Sequence, residues 1–228
     1  MVKTIAHLAD IHIRKLHRFV EYRKVFKQLY KQLRVVKPDL IYIGGDVVHG
    51  KLDTSPEEVR MVANFFLSLC KIAPTIVIPG NHDCNLNNKS REDTLSPIFD
   101  LVKKIDPRLH YWKKSGTYTY ENVDFGVMSI YDRDKGGNQL TIGLPDPTKF
   151  TNEHKVALFH GGVDKHEYYN NFVVRDEHVK LETFDGYDVV LLGDIHKRQF
   201  LNDEKTIGYP GSLIQQNFGE RPLWSRKG

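Results

Sequence analysis

The chain has 228 residues, 40% of them hydrophobic and 27% charged, with a formal net charge of +4. That length and apolar content suit one large α/β domain, and the mild basic excess permits a polyanionic substrate without requiring one. Two cysteines, Cys70 and Cys84, give neither a disulfide framework nor a zinc-site spacing, which suits a reducing compartment. No uninterrupted apolar run approaches the roughly 20 residues that span a membrane. With no signal-peptide pattern at the N-terminus, a cytoplasmic or nuclear protein is expected, with no membrane contact.

In chain order, Ile5 to Ala9 reads as a strand leading into Asp10 and His12, followed by a basic segment from Arg14 to Arg18. From Phe19 to Val36 apolar residues recur at three- and four-residue steps, with Arg23, Lys24, Lys27, Lys31 and Arg34 in the gaps. This predicts an amphipathic helix lying on a sheet. Its cations are read as a solvated face, with a nucleic-acid stripe as the alternative. Pro38 stops the helix, and Asp39 to Ile43 forms the next strand, completing a right-handed βαβ unit. Thr54 or Ser55 caps a second helix that begins near Pro56 and runs to about Lys71. That helix is apolar on more than one face, which fits burial between the sheet and a neighbouring helix, or a subunit interface.

Thr75 to Pro79 is a third strand, and a further helix is expected from about Leu95 to Ile105. Thr117 to Tyr120 and Phe125 to Ile130 alternate like a hairpin, with a turn over residues 121–124. Residues 131–152 read as a long surface loop, and Lys155 to Phe159 resumes the apolar pattern. A polar loop from Gly161 to about Glu182 precedes the strand at Tyr187 to Leu192, and two short strands follow near residues 199–201 and 205–208. The count implies two sheets between helices.

Five of these apolar runs end in side chains able to hold a metal. They deliver Asp10 and His12; Asp46 and His49; Asn81, His82 and Asp83; His160; and Asp194 and His196. Ligand-binding residues of open α/β sheets collect beyond such strand ends. The donors are all nitrogen and oxygen, which suits manganese, iron or zinc in a catalytic site rather than a structural thiolate site. Asp10, His12, Asp46, Asn81, His160, Asp194 and His196 are too many for one tetrahedral ion but enough for two. Paired metals about 3.5–4 Å apart clamp the attacking and leaving oxygens of a displacement at phosphorus. His7, inside a strand, is read as a core residue. His17, His110, His154, His166 and His178 are read as surface or loop histidines, with His17 and His166 near enough to motifs to touch substrate.

Asp10-Ile-His12, Gly45-Asp46-Val-Val-His49, Gly80-Asn81-His82-Asp83, His160-Gly and Gly193-Asp194-Ile-His196 resemble, in order and spacing, the motifs of calcineurin-like metallophosphoesterases. Within that superfamily the likeness is to SbcD-type nucleases of double-strand-break repair, on His49 and on Gly208-Tyr-Pro-Gly-Ser212 with Phe218-Gly-Glu220. The resemblance covers nearly the whole chain.

It implies a four-layer α-β-β-α sandwich of two mixed sheets flanked by helices, spanning residues 1–220, with 221–228 a short tail lacking a capping domain and partner-docking segment. It further implies two divalent ions, manganese foremost, bridged by Asp46. Asp10, His12 and His196 complete one site, and Asn81, His160 and Asp194 the other. His82 would act over the scissile phosphate, oriented by Asp83, with His49 beside the substrate. Implied partners are DNA, as double-stranded ends and single strands, an SbcC-like ATPase, and a second copy of the chain in a homodimer. Asp194 stands where the family usually has histidine, which should retune the second metal. The competing readings are a phosphoesterase for small molecules or phosphoproteins, and a catalytically silent DNA-end-binding subunit.

Overall fold

The computed structural model describes residues 1–14, 17–51, 53–132, 143–175, 177–217 and 220. Four strands, β1 (Ile5–Leu8), β2 (Leu40–Ile43), β3 (Thr75–Val77) and β4 (Leu109–Tyr111), form a first sheet in chain order. All its pairings are parallel. The second sheet holds β5 (Gly116–Tyr120), β6 (Val123–Met128), β7 (His154–His160), β8 (Val189–Gly193), β9 (Gln199–Phe200) and β10 (Ile207–Tyr209), in the order β5-β6-β7-β8-β10-β9. Its centre is parallel and its outer pairs, β5 with β6 and β9 with β10, are antiparallel.

Three apolar layers bind this sandwich. Helices α1 (Phe19–Val36), α2 (Pro56–Cys70) and α3 (Ser96–Ile105) pack on the outer face of the first sheet, where Phe26, Phe65, Phe66 and Phe99 meet Ile41, Ile43 and Val77. The middle layer joins Leu40, Tyr42 and Ile76 of one sheet to Phe125, Val127 and Leu158 of the other. The third covers Ala157, Phe159, Val190 and Leu192 with Val163, Val179 and Phe184 of the segment after β7, which includes a 3₁₀ turn at Leu181–Phe184. Both faces of β2 and β7 are thus buried, which is why those strands read as continuous apolar runs rather than alternating ones.

Two sequence expectations about α1 and α2 are met in detail. The first helix has the expected bounds, and Ser55 caps the second, its hydroxyl accepting from the Glu58 N–H at 3.1 Å. The apolar girth of α2 is taken up by contact with α1 and α3, through Phe65 against Phe26 at 4.4 Å and Phe66 against Phe99 at 4.6 Å.

Four details differ. The edge strand β4 was not anticipated, because three residues after Pro107 are too short for a period to register. The hairpin turn is tighter than expected: Tyr120 pairs directly with Val123, and Glu121 takes a positive φ of 51° to close it. His166 is fully buried, not superficial, its Nδ1 2.9 Å from the Val163 carbonyl oxygen. His7 lies within β1 but is half-buried rather than in the core, joining the sheets through Nε2, 3.0 Å from the Leu192 carbonyl oxygen, and desolvation lowers its pKa to about 3. No helix among the described residues is long and apolar enough to cross a membrane.

Asp124 at the start of β6 fastens the approach to β7. It accepts from the Thr119 hydroxyl at 2.6 Å, from the backbone N–H of Thr151 and Asn152 at 2.8 Å each, and from the Asn152 amide at 2.9 Å. Burial opposes its charge, but these donors prevail and hold the carboxyl down at about 2. A folded pKa below the unfolded one means that the stabilisation is complete above about pH 4 and lost as pH falls through about 2. Asp124→Ala should therefore cost on the order of 1–3 kcal/mol at pH 7. Denaturant titrations of both proteins from pH 7 to pH 2 should show the difference shrinking over the last two units.

Candidate metal centre

Parallel strands place all their C-terminal ends on one edge, and the two sheets align so that these edges meet. β1 leads into Asp10 and His12, β2 into Asp46 and His49, and β3 into Asn81, His82 and Asp83. From the second sheet come His160, the last residue of β7, and Asp194 and His196 after β8. The turns are laced together by the backbone: Asp10 N–H donates to the Gly45 carbonyl at 3.1 Å, and His12 N–H to that of Asp46 at 2.9 Å.

Four of the converging residues hold left-handed backbone, with φ of 53° at Asp10, 48° at His12, 53° at Asp46 and 95° at Asp194. This conformation is costly outside glycine, and its concentration at one edge is the pattern of a functional site. Glycines admit the close approach. A Cβ on Gly80 would collide with the Asp46 amide nitrogen and carboxylate, and one on Gly193 with the Gly44 carbonyl oxygen.

Asp46 lies at the middle and is almost fully buried. Its Oδ2 is 3.5 Å from His12 Nε2, and its Oδ1 is 3.4 Å from His160 Nε2. On the first side, His12 Nε2 lies 3.1 Å from His196 Nε2 and 4.0 Å from Asp10 Oδ1. On the second, His160 Nε2 lies 3.1 Å from Asn81 Oδ1 and 3.7 Å from Asp194 Oδ1. Two imidazole nitrogens 3.1 Å apart match ligands sharing one cation, since metal–nitrogen bonds of about 2.0–2.1 Å at tetrahedral angles set such nitrogens roughly 3.4 Å apart. All seven residues expected to hold metal thus converge: His12 and His196 lie toward Asp46 Oδ2, Asn81, His160 and Asp194 toward Oδ1, and Asp10 has ligand atoms within 4.8 Å of those of both His12 with His196 and Asp46 with His160.

The electrostatics call for a cation. Asp10 and Asp46 are buried, and neither forms an ion pair with a lysine or arginine among the described residues. Burial pushes Asp10 up to about 7, with repulsion from Asp46 adding to it and attraction to His160 opposing it. Burial also works against charge on His160, yet the Asp46 carboxylate and its hydrogen bond raise it to about 10. A proton on His160 thus compensates carboxylates that otherwise have no partner cation. His12, by contrast, is pushed down to about 3 by burial and by the neighbouring imidazoles, so its nitrogen is neutral and available as a ligand.

The ring orientations come from partners absent from the motif reading. His160 Nδ1 lies 2.6 Å from the Gly44 carbonyl oxygen, and His196 Nδ1 lies 2.8 Å from Glu220 Oε1. Each such bond turns the opposite nitrogen, Nε2, into the site. Glu220 belongs to the Phe-Gly-Glu segment, but nothing local marked it as a positioning residue, because it acts 24 residues downstream of its partner. Tyr169 adds a hydroxyl bond to the His196 carbonyl at 3.0 Å.

Asp83 does not orient His82. Its oxygens accept from the backbone N–H of Val47, Val48 and Gly80 at 2.9, 3.0 and 2.8 Å, pinning the β2 turn to the β3 turn. The His82 ring is instead held by the His49 carbonyl, 2.8 Å from Nδ1, while the His49 ring stacks on it at 5.2 Å. His12, His49 and His82 together present nitrogens within 4.8 Å of one another.

Residues 3–198 match the family model of calcineurin-like phosphoesterases. The chain belongs to that family. It is 45% identical over 223 residues to "Uncharacterized protein R555" of Acanthamoeba polyphaga mimivirus, covering 96% of this chain and 16% of that protein. It is 26% identical over 193 residues to "Putative phosphoesterase 244L" of Invertebrate iridescent virus 6, covering 80% of this chain and 60% of that one. The chain therefore spans less than two thirds of either relative. A solved structure at 9% identity overlays with a TM-score of 0.54, covering 93% of this chain and 92% of that one, a likeness of fold alone. Membership implies metal-dependent phosphoester hydrolysis, and the donor set fits divalent metal.

Two measurements follow from this geometry. Because His160 is held protonated, loading metal at pH 7.5 should release about one proton, seen by calorimetry in buffers of different ionisation enthalpy, with affinity rising as pH rises. Glu220→Gln should weaken manganese binding on the order of 10- to 100-fold with the fold intact, as read by calorimetry and circular dichroism.

Proposed function

We propose that this metallophosphoesterase is a DNA nuclease of SbcD type, hydrolysing phosphodiesters with two divalent ions, manganese foremost. The observation that carries the two-ion reading is the arrangement of the six other donors about the two oxygens of Asp46. Asp10, His12 and His196 would hold one ion with Asp46 Oδ2, and Asn81, His160 and Asp194 the other with Oδ1. Bound there, the ions supply an activated water and charge neutralisation at phosphorus.

The protein's own groups do the rest. His82, whose Nδ1–H donates to the His49 carbonyl, turns Nε2 toward the leaving 3′-oxygen, to which the doubly protonated ring would give its Nε2 proton and return to the neutral Nδ1–H form. His49, stacked on it, limits the rotation of that ring. The Asp46 Oδ1 that accepts from the His82 N–H at 2.8 Å ties the acid's backbone to the metal side of the site.

A nucleotide substrate is favoured by a neighbouring cavity of about 430 Å³, in which Tyr168, Tyr169, Asn170 and Lys197 border Asp194 and His196. Aromatic faces next to a phosphate site suit a nucleoside better than a phosphoserine. DNA ends and single strands are the proposed substrates, and an SbcC-like ATPase the proposed partner. A homodimer would be built through α2 and α3, and Leu101 and Ile105 of α3 are exposed.

The test is end-labelled linear duplex and single-stranded DNA incubated with manganese, magnesium or zinc, using wild type and His82→Ala. Cleavage greatest with manganese and reduced on the order of 10²- to 10⁴-fold in the variant is expected. Hydrolysis of a nitrophenyl phosphate monoester with no DNA cleavage would assign a small-molecule phosphoesterase. DNA binding with no cleavage by either protein would assign a silent end-binding subunit, with Asp194 the residue to restore to histidine.

A further inference from the structure

We infer that the groove between α1 and α2 is a track for single-stranded nucleic acid leading away from the metal centre, an inference that rests on the nuclease reading above. The groove encloses about 320 Å³, with half-buried Tyr30 on its floor above the buried rings of Phe26 and Phe65. Its rim carries Arg23, Lys27 and Arg34 from α1 and Arg60 from α2, all exposed. Among the described residues none of the four forms an ion pair, and the one acid lining the groove is Glu57.

The helix α1 as a whole sets five cations, Arg23, Lys24, Lys27, Lys31 and Arg34, against the single acid Glu21, which Arg18 already engages at 2.7 Å. Three of these cations, Arg23, Lys27 and Arg34, share the groove with Arg60 and repel one another in the free protein, and a polyanion relieves that repulsion while releasing its own counterions.

Two observations suit a nucleic-acid strand. The first is placement: α1 and α2 both begin after the strand ends that carry Asp10, His12 and Asp46, so the Arg23 and Arg60 end of the groove lies toward the edge that bears the metal centre. The second is pitch. Arg23 and Lys27 are separated by about 6 Å along the helix, within reach of successive phosphates on an extended strand. Between the cationic rims a single strand can lie against the half-buried ring of Tyr30.

The test uses the whole chain in EDTA, so that binding is read without cleavage, with fluorescent oligothymidylates of 4 and 20 nucleotides. Arg23→Gln/Lys27→Gln/Arg60→Gln should weaken binding of the 20-mer on the order of 10- to 100-fold at 0.1 M salt and lower the salt slope by about 2. Binding of the 4-mer, and manganese-dependent hydrolysis of bis-nitrophenyl phosphate, should stay as in wild type.

Lys24→Gln/Lys31→Gln, on the same helix but outside the groove, controls for general charge, and thermal unfolding checks that both variants are folded. The inference fails if the groove variant binds the 20-mer like wild type, if the control loses as much, if wild type does not bind the 20-mer, or if polyglutamate displaces it at equal charge concentration. Groove-dependent binding without DNA cleavage in manganese would overturn the nuclease reading and leave the track standing.

Discussion

The carboxylate of Asp46 lies where two sheets from distant parts of the chain meet, and most of the architecture serves its position. Oδ1 faces donors from β3, β7 and β8, while Oδ2 faces donors that follow β1 and β8. For one side chain to face both groups, the turn after β2 must pass within contact distance of three other turns. That demand explains the glycines at 80 and 193 and the left-handed backbone at four donor positions. Asp83 belongs to the same device: buried and accepting three backbone N–H bonds, it locks the β2 and β3 turns at fixed separation. Its contribution to chemistry is therefore placement of Asp46 and His82 rather than contact with substrate.

The same crowding creates an electrostatic debt that a divalent cation resolves. Burial makes Asp10 resist ionisation, whereas the imidazoles of His160 and His12 hold Asp46 ionised against its own burial, and His160 retains a proton beside it. A site built this way is compact and cation-seeking before any ligand arrives. The second layer of partners, the Gly44 carbonyl behind His160 and Glu220 behind His196, fixes which ring nitrogen points inward. The tyrosine-lined cavity at Tyr168 adjoins this centre, sharing Asp194, His196 and Glu220 with it.

Much of this was legible locally. The 3.6-residue apolar period of α1 and the cap-and-proline start of α2 are properties of short windows, and both helices occur where those signals place them. The apolar strand runs that end in Asp, Asn or His marked every member of the converging set, because a strand end followed by a metal-competent side chain is a local pattern. What escaped was non-local or too short. The three residues of β4 acquire strand geometry only by pairing with β3. The role of Asp83 was misread because its partners are backbone groups of another turn, and the burial of His166 depends on how the segment after β7 folds over the second sheet.

By itself, then, the amino-acid order determined the element types, the apolar layers and the identity of the donors, since each depends on periodicity or on residue chemistry within about ten positions. The tertiary structure alone decided the division of those donors about the two oxygens of Asp46, the partners that orient each imidazole, and the alignment of α1's cations with Arg60 of α2. Those depend on contacts between residues as far apart as His12 and His196, whose nitrogens meet at 3.1 Å only because both sheets present their strand ends on one edge.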